Sequence, residues 1–135
     1  MTAGYSGTPL AKKLGLREGD RVALVAAPQG FEALLGPLPQ GVTLLSRATT
    51  GLDAILFFVT RRAELERRHR SLASRLAPAG MLWLAWPKRA SGVPTDVTEN
   101  VLREVIVPSG MVDTKVCAID ETWSGLRFVR RKELR

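Results

Sequence analysis

The chain has 135 residues, of which 45% are hydrophobic, and it carries a net charge of +7 at neutral pH. This length fits a single domain, and the hydrophobic content is that of a globular protein and argues against disorder. The longest apolar stretches, 54–59 and 79–86, are much shorter than the roughly 20 residues that span a bilayer. The N-terminus lacks a secretory-signal pattern, and the single cysteine excludes an internal disulfide. We therefore expect a cytoplasmic protein with no membrane segment.

The positive charge is concentrated in two segments. Residues 61–75 contain six arginines and two glutamates, and residues 127–135 contain five basic residues and one glutamate, so each segment has a net charge of +4. The rest of the chain sums to −1. Arginine outnumbers lysine 15 to 5 and asparagine occurs once, a usage typical of a GC-rich or thermophilic bacterial source.

Hydrophobic periodicity and turn residues predict alternating strands and helices along the first two thirds of the chain. Residues 1–20 form a lead-in with a short helix between Thr8, which suits the N-cap, and Gly15, which suits the exit. The predicted elements that follow are strand 22–27, helix 31–35, strand 42–46, strand 52–59, helix 61–76 and strand 81–86.

The last third is predicted to contain a loop, one helix and a β-hairpin. Thr95 or Asp96 caps the helix, which carries an apolar stripe. Two strands, 112–122 and 126–131, then form a hairpin around Ser124–Gly125.

We predict one α/β domain, residues 1–135, with three layers and a sheet core at 21–131. The sheet is expected to hold about six strands, mostly parallel, with an antiparallel C-terminal hairpin. The order of elements, with segments 52–57 and 76–83 and the closing hairpin, resembles a shortened class I S-adenosylmethionine-dependent methyltransferase, which has a Rossmann-like fold. The resemblance rests on scaffold motifs.

Three segments carry a second resemblance. Residues 4–10, Trp86–Lys88 and Asp120–Gly125 are similar to a bacterial family of short proteins that bears a domain-of-unknown-function label. This resemblance implies a scaffold and transfers no catalytic roles.

The turn after the first strand lacks a glycine-rich cradle. It reads Pro28-Gln29-Gly30-Phe31, and Ala27 before it carries a Cβ, whereas close backbone approach to a cofactor requires glycine. The segment after the second strand, 46–50, contains no acidic residue that could hold a ribose. We therefore predict no cofactor and do not expect methyl transfer, and whether the chain is an enzyme stays open at this point.

Open α/β sheets bind ligands at the carboxyl ends of their strands. Arg61 and Arg62 lie at this edge and open a helix, where the macrodipole disfavours cations. We hypothesise that the edge binds an anion, such as a phosphorylated metabolite, a nucleotide or a partner carboxylate. The candidate ligand-binding residues are Gln29, Gly30, Arg47, Arg61, Arg62, Trp86, Lys88, Arg89, Asp96, Glu121 and Trp123. In the alternative interpretation, the arginines are solvated or paired with Glu64, Asp96 and Glu121, the tryptophans pack, and Asp96 caps a helix.

Other catalytic signals are weak, and we predict no catalytic residue and no metal site. His69 is the only histidine and flanks an apolar helical stripe, which favours a packed or solvated role. Cys117 lies inside a predicted strand, which favours an inert buried thiol. Asp120 and Glu121 are sequence neighbours and point to opposite faces of a strand, so they cannot act as an acid–base pair.

Three functions remain in competition. The first is a non-catalytic or degenerate methyltransferase-like domain that binds a small anionic ligand or a protein partner. The second is an enzyme with an atypical site built from Lys88, Arg89, Asp96 and Glu121. The third is nucleic-acid binding through the arginine-rich helix and the basic C-terminus, although no known DNA or RNA motif accompanies them. The sequence leaves the oligomeric state open.

Overall fold

A computed structural model describes residues 8–135, so the part of the second resemblance carried by 4–7 lies outside the described residues. The helices are α1 (Leu10–Lys13), α2 (Phe31–Leu34), α3 (Arg62–Ala73) and α4 (Glu99–Ile106). The strands are β1 (Arg21–Val25), β2 (Thr43–Leu45), β3 (Leu52–Phe58), β4 (Leu76–Pro87), β5 (Met111–Ala118) and β6 (Trp123–Arg130). No helix in this part of the chain is long and apolar enough to cross a membrane.

All six strands belong to one sheet with the order β2-β1-β3-β4-β6-β5. The first four strands in this order pair in parallel, whereas β6 runs antiparallel to both β4 and β5. The predicted α/β class, the six strands and the antiparallel C-terminal hairpin are confirmed.

Helices cover the sheet on both faces and create two apolar cores. On one face, leucines of α3 and α4 such as Leu65 and Leu102 pack against β3 and β4. On the other face, the α1 and α2 regions pack against the same strands, and Leu14 covers the fully buried Trp83. The Trp83 indole N–H donates to the Leu14 carbonyl at 2.9 Å, so this buried polar group is satisfied.

The connection from β2 to β3 contains only residues 46–51 and no helix. It joins two parallel strands that lie on either side of β1, a crossover that usually takes a dozen or more residues and a helix. Arg75, just after α3, holds this link by donating from Nη1 to the Ala48 carbonyl at 2.9 Å. The space that a crossover helix would fill is therefore left open between the link and α3.

The boundary between α3 and β4 differs from the prediction. The helix ends at Ala73 and the strand begins at Leu76, so the segment 78–80 belongs to β4 and does not terminate the helix. The guanidinium of Arg130 explains the early end, because it donates to the carbonyl oxygens of Ala73 at 2.6 Å, Ala77 at 2.9 Å and Leu76 at 3.3 Å. A cationic donor at a helix C-terminus satisfies carbonyls that have no intrahelical partner.

The hairpin turn was also predicted at the wrong place. The strands end at Ala118 and begin again at Trp123, and the Asp120 carboxylate accepts from the N–H groups of Thr122 at 2.8 Å and Trp123 at 2.7 Å. Gly125 instead lies within β6, where a Cβ would approach a Trp83 ring carbon to 3.1 Å. The glycine therefore serves close packing against the indole, and the aspartate forms the turn.

Candidate functional site

A groove of about 510 Å³ lies beyond the carboxyl ends of β1 and β2. Gln29 and Gly30, two of the candidate ligand-binding residues, line it together with mostly small or apolar residues. Ala26, which also lines it, has a φ of +58° and is the only non-glycine residue in the described part of the chain with a positive φ. This left-handed conformation costs an L-residue roughly 1–2 kcal/mol, so the turn holds local strain at the mouth of the groove.

A second cavity, the arginine cleft, occupies the space between α3 and the β2–β3 link. Its volume is about 370 Å³, and its polar lining consists of the side chains of Ser46, Arg47, Arg68, Ser71 and Arg75. The lining contains three guanidinium groups and no carboxylate. Ala26 and Ser46 line both cavities, so the arginine cleft adjoins the groove.

The three arginines of the cleft differ in how far they are already bonded. Arg47 is exposed and has no hydrogen-bond or ion-pair partner within residues 8–135. Arg68 lies 5.3 Å from the Phe57 ring centroid and 3.7 Å from a Glu64 oxygen. Arg75 donates one N–H to the link. Since a guanidinium carries five N–H donors, each arginine retains donors for an anion in the cleft.

At the start of α3, carboxylates of the protein itself bind the first backbone N–H and neutralise the Arg62 charge. The backbone N–H of Arg62 donates to Asp96 Oδ1 at 2.7 Å, and the Arg62 guanidinium pairs with Glu66 and Glu104, both at 2.9 Å. These two hydrogen-bonded carboxylates raise the pKa of Arg62 above its ordinary value. Arg61 is exposed, and its side chain has no partner in the described region. The anion at this helix N-terminus is thus Asp96.

The predicted cap of α4 is corrected by this arrangement. Thr98 is the N-cap, and its Oγ1 accepts the N–H of Val101 at 3.1 Å. Asp96 faces α3, and Thr95 donates to the Thr60 carbonyl at 2.7 Å. Both residues therefore fasten the loop after β4 to the start of α3.

Two of the three segments that carry the second resemblance, Trp86–Lys88 and Asp120–Gly125, lie side by side and contact each other. The Lys88 side chain donates to the Asp120 carbonyl at 2.6 Å, and its backbone N–H donates to the Thr122 carbonyl at 2.7 Å. Trp86 is buried in the core beneath α3 and α4, and Trp123 is half-buried with its ring 5.1 Å from that of Phe58. These contacts agree with the packing interpretation of both tryptophans.

The atypical enzyme hypothesis places Lys88, Arg89, Asp96 and Glu121 in one site, but within the described residues their side chains make no polar contact with one another. Lys88 and Asp96 bind different backbone segments, whereas Arg89 and Glu121 are exposed without side-chain partners in the described part. Within residues 8–135, no hydrogen bond or ion pair joins any two of these four side chains.

The histidine and the cysteine are both buried, and burial shifts the pKa of each. Burial lowers the pKa of His69, and the charge of Arg70 lowers it further. Burial also raises the pKa of the Cys117 thiol, which keeps the group protonated and weakly nucleophilic. No three histidine, cysteine or carboxylate side chains among the described residues are close enough together to hold a metal ion.

Sequence reasoning missed Arg68, Ser71 and Arg75 as site residues. Their spacing of i, i+3 and i+7 places them on one side of a helix, a signal present in the sequence. What that side faces depends on the path of the link, which the sequence does not reveal because such crossovers usually contain a helix.

Comparison with solved structures identifies the architecture. An S-adenosylmethionine-dependent methyltransferase from Aquifex aeolicus superposes on this chain with a TM-score of 0.61 at 17% sequence identity. The match covers 87% of this chain and 85% of that one. Fibrillarin from Aeropyrum pernix, solved with bound S-adenosyl-L-methionine, gives 0.57 at 15% identity over 93% and 70%. The ribosomal protein L11 methylase of Lactobacillus delbrueckii gives 0.59 at 12% identity over 90% and 75%. The chain has a shortened class I methyltransferase fold.

These superpositions establish the fold of this methyltransferase-like domain. Because the sequence identities are low, they establish nothing about its activity. No protein-family model matches the chain, and no curated protein matches it either. At the first turn, where this fold is expected to carry a glycine-rich cradle, the domain has Pro28. After β2, where an acidic residue is expected to hold a ribose, it has the cation Arg47.

Proposed function

We propose that the chain is a non-catalytic domain of methyltransferase-like fold that binds a small anionic metabolite, such as a phosphate ester, in the arginine cleft. The observation that carries this proposal is Arg47, whose guanidinium has no partner in the described region and lines a cleft with two further arginines. Guanidinium groups bind phosphate and carboxylate oxygens bidentately, and an anion would lower the mutual repulsion of the three cations.

The size of the cleft supports a small ligand. Its volume of about 370 Å³ falls in the range of small-molecule sites, which runs from about 300 to 1,000 Å³. The hydroxyls of Ser46 and Ser71 add neutral donors to the cationic ones. The cleft therefore combines the charge and the hydrogen-bonding groups that an anion of a few heavy atoms requires.

The same lining supports binding without chemistry. A guanidinium stays protonated at any physiological pH and cannot serve as a general base. Neither a histidine nor a carboxylate lines the cleft, so its two serines lack the neighbouring base that activates a hydroxyl nucleophile.

The test is isothermal titration calorimetry with phosphate, pyrophosphate, sugar phosphates, nucleotides and S-adenosylmethionine. We expect at least one phosphorylated ligand to bind, and Arg47→Gln to weaken it tenfold or more, because hydrogen bonds to charged groups contribute roughly 1.5–3 kcal/mol. The matched control is Arg89→Gln, which removes another exposed arginine without a side-chain partner in the described region, outside the cleft, and should leave affinity within about twofold.

Three results would refute the proposal. They are no binding of any phosphorylated compound, equal losses in the two variants, and tight binding of S-adenosylmethionine with methyl transfer to an acceptor. Arg61→Gln tests the alternative position at the start of α3. If the ligand binds in the arginine cleft, this variant should bind it as the wild type does.

A further inference from the structure

The two basic segments, which are far apart in the sequence, meet in the structure. The C-terminal end of α3 and the last residues of the chain line one depression of about 230 Å³, to which Arg70 and Arg130 both contribute. The contact is fixed by Arg130, which donates to the Ala73 carbonyl at 2.6 Å. Within the C-terminal segment, Arg135 donates to the Arg130 carbonyl at 2.9 Å. This surface lies on the flank of α3 opposite the arginine cleft.

We call this surface the basic edge and define it by Arg70, Arg130, Arg131, Lys132 and Arg135. Two of its cations, Arg70 and Lys132, have side chains that make no hydrogen bond or ion pair within residues 8–135, and Arg130 and Arg135 bind only uncharged carbonyl groups. The single carboxylate side chain in this segment, Glu133, lies 3.6 Å from Arg131. Most of the positive charge of the basic edge therefore faces solvent uncompensated.

We propose that the basic edge binds the phosphate backbone of a nucleic acid without reading its sequence. Several cations spread along an open surface match a polymer with regularly repeated phosphates. The depression is smaller than the about 300 Å³ at which sites for discrete small molecules begin, which disfavours a metabolite there. No aromatic ring lines it to stack on a base, so the contacts would be to phosphates alone.

The test is fluorescence anisotropy with labelled single-stranded RNA and DNA of about 20 nucleotides, titrated at several salt concentrations. The double variant Arg70→Gln/Lys132→Gln removes two cations whose side chains make no hydrogen bond or ion pair within residues 8–135, whereas Arg130 is left intact because it holds the end of α3. We expect the variant to bind about tenfold more weakly, with a salt slope smaller by about 1.4, since each single-strand phosphate contact contributes about 0.7.

The control is Arg17→Gln/Arg89→Gln, which removes the same charge from exposed arginines elsewhere and should change affinity less than twofold. Equal losses in the two double variants would show that net charge alone acts and would overturn the proposal. No binding at about 50 mM salt would overturn it too. Displacement by polyglutamate as effectively as by unlabelled RNA would overturn it in favour of an acidic protein partner. Since the arginine cleft uses different residues, these outcomes are independent of ligand binding there.

Discussion

Replacement of Arg130 by methionine should destabilise the whole domain, although the side chain lies at the periphery. The methionine keeps the apolar stem of the side chain and removes the guanidinium that joins α3, the start of β4 and β6. We expect the free energy of unfolding to fall by about 2–3 kcal/mol.

The magnitude follows from the contacts that are lost. Two hydrogen bonds are short, to the carbonyls of Ala73 at 2.6 Å and Ala77 at 2.9 Å, and two are long, to Leu76 at 3.3 Å and Pro78 at 3.5 Å. A hydrogen bond to a charged group contributes roughly 1.5–3 kcal/mol, and a cation at a helix C-terminus adds roughly 0.3–1 kcal/mol. Because Arg130 is half-buried, water recovers part of this sum.

Urea unfolding followed by circular dichroism measures the effect, with the slope m expected to stay unchanged. Arg130→Lys should recover less than half of the loss, since an ammonium cannot reach carbonyls in two directions at once. The control is Arg131→Met, which removes an exposed neighbour paired only to Glu133 and should cost less than about 0.5 kcal/mol. If Arg130→Met also costs less than about 0.5 kcal/mol, or if lysine replaces arginine fully, the bridging role is wrong.

Three further predictions concern Ala26, His69 and Gly125. Ala26→Gly should stabilise by about 0.5–1 kcal/mol, because the left-handed strain exceeds the entropy cost of glycine, whereas Ala27→Gly should destabilise, as urea midpoints will show. Burial lowers the pKa of His69, so the unfolded chain binds a proton more readily than the folded one. The free energy of unfolding should therefore fall as the pH drops below about 6.5. In denaturation curves, His69→Gln should remove this pH dependence. Gly125→Ala should cost about 1–3 kcal/mol by thermal unfolding, because the Cβ meets Trp83, and a loss below about 0.5 kcal/mol would contradict that packing.

The scaffold could be predicted because its signals are local. Apolar runs at the period of strands and helices predicted all six strands, and the largest boundary error is the start of β4, predicted at 81 and observed at Leu76. The hairpin turn was predicted around Gly125 and not at Asp120 because both residues are typical turn formers. Which of the two forms the turn depends on the indole of Trp83, which packs against Gly125 from a neighbouring strand. Contacts between strands are invisible to a pattern read along one segment.

The candidate site was predicted less well because it depends on tertiary partners. Asp96 precedes α4 in sequence, which made a cap of that helix the natural interpretation, yet its carboxylate reaches the first N–H of α3. Arg47 was placed at the ligand edge from its position after β2. To predict that Arg47 shares a cleft with Arg68 and Arg75, one must know the path of the β2–β3 link, and no residue pattern specifies that path.

The short β2–β3 link has a mechanical consequence for the arginine cleft. By the strand register, Leu45 and Leu52 are two strand spacings apart sideways and three residues apart lengthwise, or about 14 Å in a straight line. Fully extended, the chain between them reaches about 24 Å, and it must also climb over β1. Deleting two residues would cut this reach to about 17 Å and leave almost no slack for the climb. The length of the link therefore limits how far residues 46–51 can move away from α3, the opposite side of the arginine cleft.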